Sequence, residues 1–99
     1  MLFAITSLDK PNSKELRMAT REKHLAYGKD SAVGGQLRLG GPFLDTNGNM
    51  IGSFIILEAD SLEAAESWAA NDPYMKAGLF ESSIVRPWRS TINNCGAQL

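Results

Sequence analysis

Ninety-nine residues, 43% hydrophobic and 21% charged, fit one globular domain with a modest core and exclude a disordered chain. A formal net charge of −1 lacks the basic excess of a general nucleic-acid binder, and no apolar run reaches the ~20 residues that cross a bilayer. Nucleic acid and membrane are therefore not expected partners. One cysteine and one histidine, Cys95 and His24, exclude an internal disulfide and the usual Cys/His zinc patterns. The N-terminal stretch lacks the positive region of a signal peptide. A cytoplasmic protein with no metal and no cofactor is expected.

In chain order, residues 1–8 (MLFAITSL) predict a strand ending at Asp9-Lys10-Pro11, because they are rich in β-branched and aromatic side chains. Asn12 and Glu15 have capping-box spacing, so a helix is expected from about Ser13. It weakens at Gly28, and Gly34-Gly35 closes the segment. At ~100° per residue, Arg17, Arg21, His24 and Gly28 share one stripe, while Leu16, Ala19, Ala26 and Tyr27 lie on another side. The stripe reads either as a solvated basic face or as an anion site that contains a histidine.

Residues 36–43 predict a second strand that ends in Gly40-Gly41-Pro42, where small side chains let another group approach the backbone. Asp45-Thr46-Asn47-Gly48 signals a hairpin turn. Residues 50–58 predict a third strand with two faces, Ile51/Ser53/Ile55/Leu57 and Met50/Gly52/Phe54/Ile56. Both are mainly apolar, so both need cover. Helices can cover one, and a second copy of the sheet is the expected cover for the other, which predicts a homodimer. Asp60 with Glu63 is a second capping-box spacing. The helix that follows, residues 61–71, places Leu62, Ala65, Trp68 and Ala69 on one face. Pro73 biases Asp72 away from helical geometry. Residues 74–77 form a short turn closed by Gly78, and residues 79–89 predict a last strand, with Pro87 suited to an edge. Residues 90–99 read as a polar tail.

The order βαββαβ predicts an α+β domain over residues 1–89, a four-stranded antiparallel sheet with both helices on one face, the ferredoxin-like arrangement. That fold packs the two helices side by side, so His24 and Asp72 become candidates for an acid/base pair. An aspartate in reach fixes the imidazole tautomer and stabilises the imidazolium. Arg17 and Arg21 would hold a small anionic organic molecule, and Gly41, Pro42, Ser53 and Tyr74 would form the pocket wall. No phosphate loop or nucleophile elbow occurs.

The ordered set Arg21-x-x-His24-Leu25, Gly40-Gly41-Pro42, Gly48, Gly52-Ser53, Glu58-Ala59-Asp60-Ser61-Leu62-Glu63-Ala64-Ala65, Asn71-Asp72-Pro73-Tyr74, Ala77-Gly78-Leu79 and Arg86-Pro87-Trp88 resembles the YciI-like (YCII-related) family over residues 1–89. The resemblance implies a dimeric α/β barrel, two sheets face to face, and a His–Asp pair on His24 and Asp72. One member type is a dehydrochlorinase in which an acid/base pair assists HCl elimination, which implies proton transfer as the reaction type. Gly28 departs from the bulkier residue expected there. The expected function is lyase- or isomerase-type proton transfer on a small anionic substrate. The alternative is a non-catalytic ligand-binding or interaction module using the same pocket.

Overall fold

The alternation at the start of the chain becomes strand β1, Leu2–Asp9, in which Phe3, Ile5 and Ser7 are buried and the residues between them are more open, as the period of two requires. A computed structural model describes residues 1–30 and 34–99. After β1 come α1 (Lys14–Lys29), β2 (Gln36–Leu44), β3 (Met50–Glu58), α2 (Leu62–Ala70), the single turn α3 (Pro73–Lys76) and β4 (Phe80–Trp88). The strands form one antiparallel sheet in the order β2-β3-β1-β4. This is the ferredoxin-like α+β arrangement, with α3 added to the second crossover. Pro87 lies in an edge strand, where a missing N–H is tolerated.

Local chemistry corrects both capping-box expectations. Asn12 takes a positive φ of 58°, the left-handed region asparagine tolerates, so it serves the turn. Ser13 is the N-cap of α1, and its hydroxyl donates to the Pro11 carbonyl instead of capping the helix. At α2 the cap is Ser61, not Asp60: its extended backbone lets Oγ accept the Ala64 N–H at 3.0 Å. The hairpin loop forms as expected, with Gly48 at φ 83°. The Asp45 carboxylate accepts the Asn47 and Asn49 N–H groups at 2.8 and 2.9 Å. The Asn49 backbone bond, followed by its side-chain amide, holds Asp45 below the usual carboxylate range.

The core lies between one sheet face and the helices. Phe3, Ile5, Ile55 and Leu57 meet Ala65, Trp68 and Ala69. Leu62, expected with them, is exposed. α1 behaves differently from α2. Its buried residues are Arg17 and Thr20, while Leu16 is exposed, so its inward side is polar where it crosses β3.

Tyr27 of α1 packs on Trp68, ring centroids 4.8 Å apart, and its hydroxyl donates to the Trp68 carbonyl at 2.7 Å. Burial, then the charge of Asp72, pushes the Tyr27 phenol up to about 12 from 10.0. A phenol raised in the folded state adds stability that is complete below the unfolded value and lost as pH climbs through the folded one. Tyr27→Phe is expected to cost about 1 kcal/mol at neutral pH and to flatten the loss of stability between pH 10 and about 12. Urea unfolding across that range checks both, and an unaltered alkaline limb would count against the assignment.

The other sheet face carries Ala4, Thr6, Leu8, Leu39, Phe54, Ile56 and Ile84, and neither α1 nor α2 packs on it. Leu8, Leu39 and Ile84 are 44–46% exposed.

Candidate active site

A cleft of about 210 Å³ opens between α1 and the β2–β3 half of the sheet. Two bulges in the β2–β3 ladder shape its floor, one between Leu37 and Leu39, the other between Phe43 and Leu44. The first brings Gly40 opposite Ile55 and Pro42 opposite Ser53, on the side facing the helices. A Cβ at Gly40 would sit 3.3 Å from Ile55, and one at Gly28 would sit 3.1 Å from Leu37. The two glycines therefore keep the apolar end of the cleft open.

His24 lines the cleft from α1. Its Nδ1 lies 2.8 Å from Asp72 Oδ1. Asp72 is only 3% exposed and is the N-cap of α3, where the same Oδ1 accepts the Tyr74 N–H at 2.9 Å. Pro73 accounts for this geometry. It holds Asp72 extended, at ψ 130°, and starts α3 at the first helical position. The side chain is thereby turned back over the α3 N-terminus and across to α1. An accepting carboxylate assigns the proton to Nδ1. Nε2 has no partner among the described residues and is the basic nitrogen available for a ligand.

Tyr74 packs flat on the imidazole, centroids 4.0 Å apart at 18°. The Arg17 guanidinium carbon lies 4.6 Å from the Tyr74 ring centroid. Burial raises the Tyr74 phenol, partly offset by the positive charges of Arg17 and Arg21.

The arginine stripe is not a solvated basic face at its Arg17 end. Arg17 is 3% exposed and grips Asp9 with a two-pronged contact, Nε to Oδ2 at 2.7 Å and Nη2 to Oδ1 at 3.0 Å. Its Nη2 also donates to Ser53 Oγ at 3.0 Å. Burial alone would lower its pKa, but the Asp9 hydrogen bonds and charge outweigh that and raise it. Arg17 lines the cleft, with its guanidinium engaged by Asp9 and Ser53. Arg21 is different: it lines the cleft, is exposed, and pairs with no described side chain.

The structure thus gathers His24, Arg17, Arg21, Gly41, Pro42, Ser53 and Tyr74 around one cleft, with Asp72 behind the histidine. Sequence reasoning missed Leu25 and Lys29, although they lie one and two turns along α1 from Arg21. It also missed Leu37, Met50 and Ile55, which reach the cleft only through strand pairing, and Asp9, which looked like strand-end punctuation. Among the described residues no group of three His, Cys, Asp or Glu side chains could hold a metal ion, and no helix is long and apolar enough to cross a membrane.

Comparison with known proteins agrees on one family. The family model of the YCII-related domain matches residues 1–89. An uncharacterized protein of Haemophilus influenzae is 38% identical over 95 residues, covering 90% of this chain and 97% of that protein. Protein YciI of Escherichia coli is 39% identical over 95 residues with the same coverage. Among solved structures, the 5-chloro-2-hydroxyhydroquinone dehydrochlorinase of Burkholderia phenoliruptrix, in complex with 2,5-dihydroxybenzoquinone, superposes with a TM-score of 0.81 at 38% identity. That match covers 90% of this chain and 94% of the other. With the domain match spanning 89 residues and relatives matched over nearly their whole length, this chain belongs to the family of the YCII-related domain.

Proposed function

We propose that this protein is a cofactor-independent enzyme of the lyase or isomerase type that moves a proton on a small anionic organic molecule. The observation that carries the proposal is the 2.8 Å contact between His24 and Asp72 in the wall of a cleft that also contains Arg21, a cation that pairs with no described side chain. His24 Nε2 acts as general base and then as general acid. Asp72 holds the tautomer and offsets the imidazolium charge. Arg21 binds the anionic group, and Gly41, Pro42 and Tyr74 form walls. The similar dehydrochlorinase acts on a small hydroquinone and holds a flat quinone, which supports a flat, oxygen-rich substrate for this cleft.

Incubation of the purified protein with 5-chloro-2-hydroxyhydroquinone tests the reading, with chloride release and binding of 2,5-dihydroxybenzoquinone as the measurements. Release of chloride above the buffer rate supports it. Quinone binding that survives in H24Q, with no turnover by the unsubstituted protein, would replace it with the binding-module alternative.

The enzyme works as a homodimer in the cytoplasm. The sheet face opposite α1 and α2, with Leu39 and Ile84 each 44% exposed, supports self-association. The exposed free Cys95 suits a reducing compartment. Light scattering is expected to give twice 10.8 kDa. Ile84→Glu is expected to give the monomer, because the substitution places a charge on the apolar face that the dimer would bury. A wild-type monomer at micromolar concentration would remove the dimer.

A further inference from the structure

The geometry points to Ser53 as a catalytic hydrogen-bond donor to a substrate oxygen that becomes negative, polarised for that task by the buried Arg17–Asp9 pair. This inference rests on the proton-transfer reading above and specifies its substrate class: a carbonyl or enol compound that forms an enolate or phenolate.

Ser53 is 5% exposed yet lines the cleft. Its Oγ accepts a hydrogen bond from Arg17 Nη2 at 3.0 Å. A hydroxyl has one proton to donate, and among the described residues nothing accepts the Ser53 proton. Across the ladder stands Pro42, which has no N–H to compete for a ligand oxygen placed there. The buried hydroxyls of Ser7 and Thr20 differ. Ser7 and Ser83 pair with each other at 2.9 Å, and Thr20 donates to the Leu16 carbonyl at 2.9 Å. Ser53 is thus a buried hydroxyl facing the cleft, with a cation on its acceptor side and a free proton on its donor side. Donation from Arg17 strengthens donation by Ser53, because hydrogen bonds in a chain polarise one another.

In the reaction, His24 Nε2 takes a proton from the carbon next to the carbonyl. The C–H electron pair forms a C=C bond to the carbonyl carbon and the C=O π pair moves onto the oxygen, which accepts the Ser53 hydrogen bond while it carries the charge. Such donors act most where charge develops. Arg17 is a positioning residue, since its effect passes through Ser53 and Tyr74.

The test uses a series of 4-nitrophenols of graded acidity, at a pH where all are ionised, with binding followed by absorbance. The unsubstituted protein is expected to bind them more tightly as the phenolate oxygen becomes more basic. S53A and S53C are expected to bind roughly 10-fold or more weakly, the scale of a lost charged hydrogen bond, and to flatten that trend. R21A should weaken the whole series equally, leaving the slope. Circular dichroism confirms that the variants fold, and S53C retains the side-chain size should S53A disturb the packing. Unaltered binding and slope in both Ser53 variants would overturn the proposal, as would failure of the unsubstituted protein to bind any phenolate. Phenolate binding needs no proton transfer, so loss of turnover in H24Q with an intact Ser53 slope separates the two readings.

Discussion

Replacing His24 by glutamine is expected to lower turnover by about 10²–10⁴-fold, the usual contribution of a positioned general base. Glutamine keeps a polar group against Asp72 but offers no basic nitrogen to the cleft. Asp72→Asn is expected to fall in the same range by a different route. An amide oxygen can still cap α3 through the Tyr74 N–H, so the fold survives. The imidazole then loses the carboxylate that holds its tautomer and balances its charge. The two readouts must part: turnover collapses in both variants, while the urea midpoint of each shifts by no more than about 1 kcal/mol of stability. If either variant keeps a tenth of the original rate, His24 and Asp72 do not carry the chemistry.

The second large effect concerns stability. Arg17→Met is expected to cost about 3–5 kcal/mol, because it leaves a buried carboxylate without its counter-charge. The Arg17 and Asp9 side chains are only 3% and 7% exposed, so water cannot take over. The exposed pair between the N-terminus and Glu58, with side chains 64% and 39% exposed, is worth ~0–1 kcal/mol by comparison. The double variant Asp9→Leu/Arg17→Met should recover most of the loss, since a buried pair replaced by apolar groups of similar size is often neutral. Urea unfolding of the three variants measures this. A single Arg17→Met within about 1 kcal/mol of wild type would show that the pair is hydrated after all. Arg17→Met is expected to impair turnover too, because its guanidinium packs over the Tyr74 ring that in turn stacks on His24.

Both variants bear on what could be read from the chain alone. The element order was legible because each element is written in a local period: two in residues 2–7, about 3.6 from Leu62 to Ala69, with breaks at Pro11, Gly48 and Pro73. That order, with right-handed crossovers, leads to the ferredoxin-like sheet. The stripe Arg17, Arg21, His24, Gly28 was legible for the same reason, and all four residues line the cleft. Cap identity was not. Asn12 against Ser13, and Asp60 against Ser61, differ by one residue of backbone conformation, and both members of each pair have cap-competent side chains.

By itself, then, the sequence determined the elements, their order, and which residues of one helix share a face, because these follow from neighbours a few residues apart. Only the tertiary structure decided which of those residues meet partners from elsewhere. His24 meets Asp72 across 48 positions, and Arg17 meets Ser53 across 36. Whether Arg17 is a surface cation or a buried one depends on Asp9 standing at the end of β1 beside it, and on how α1 crosses the sheet. Whether Gly40 and Pro42 face the cleft depends on a bulge at Leu37–Leu39. A bulge moves every later side chain of the strand to the opposite face, and nothing in the alternation of residues 36–43 records it.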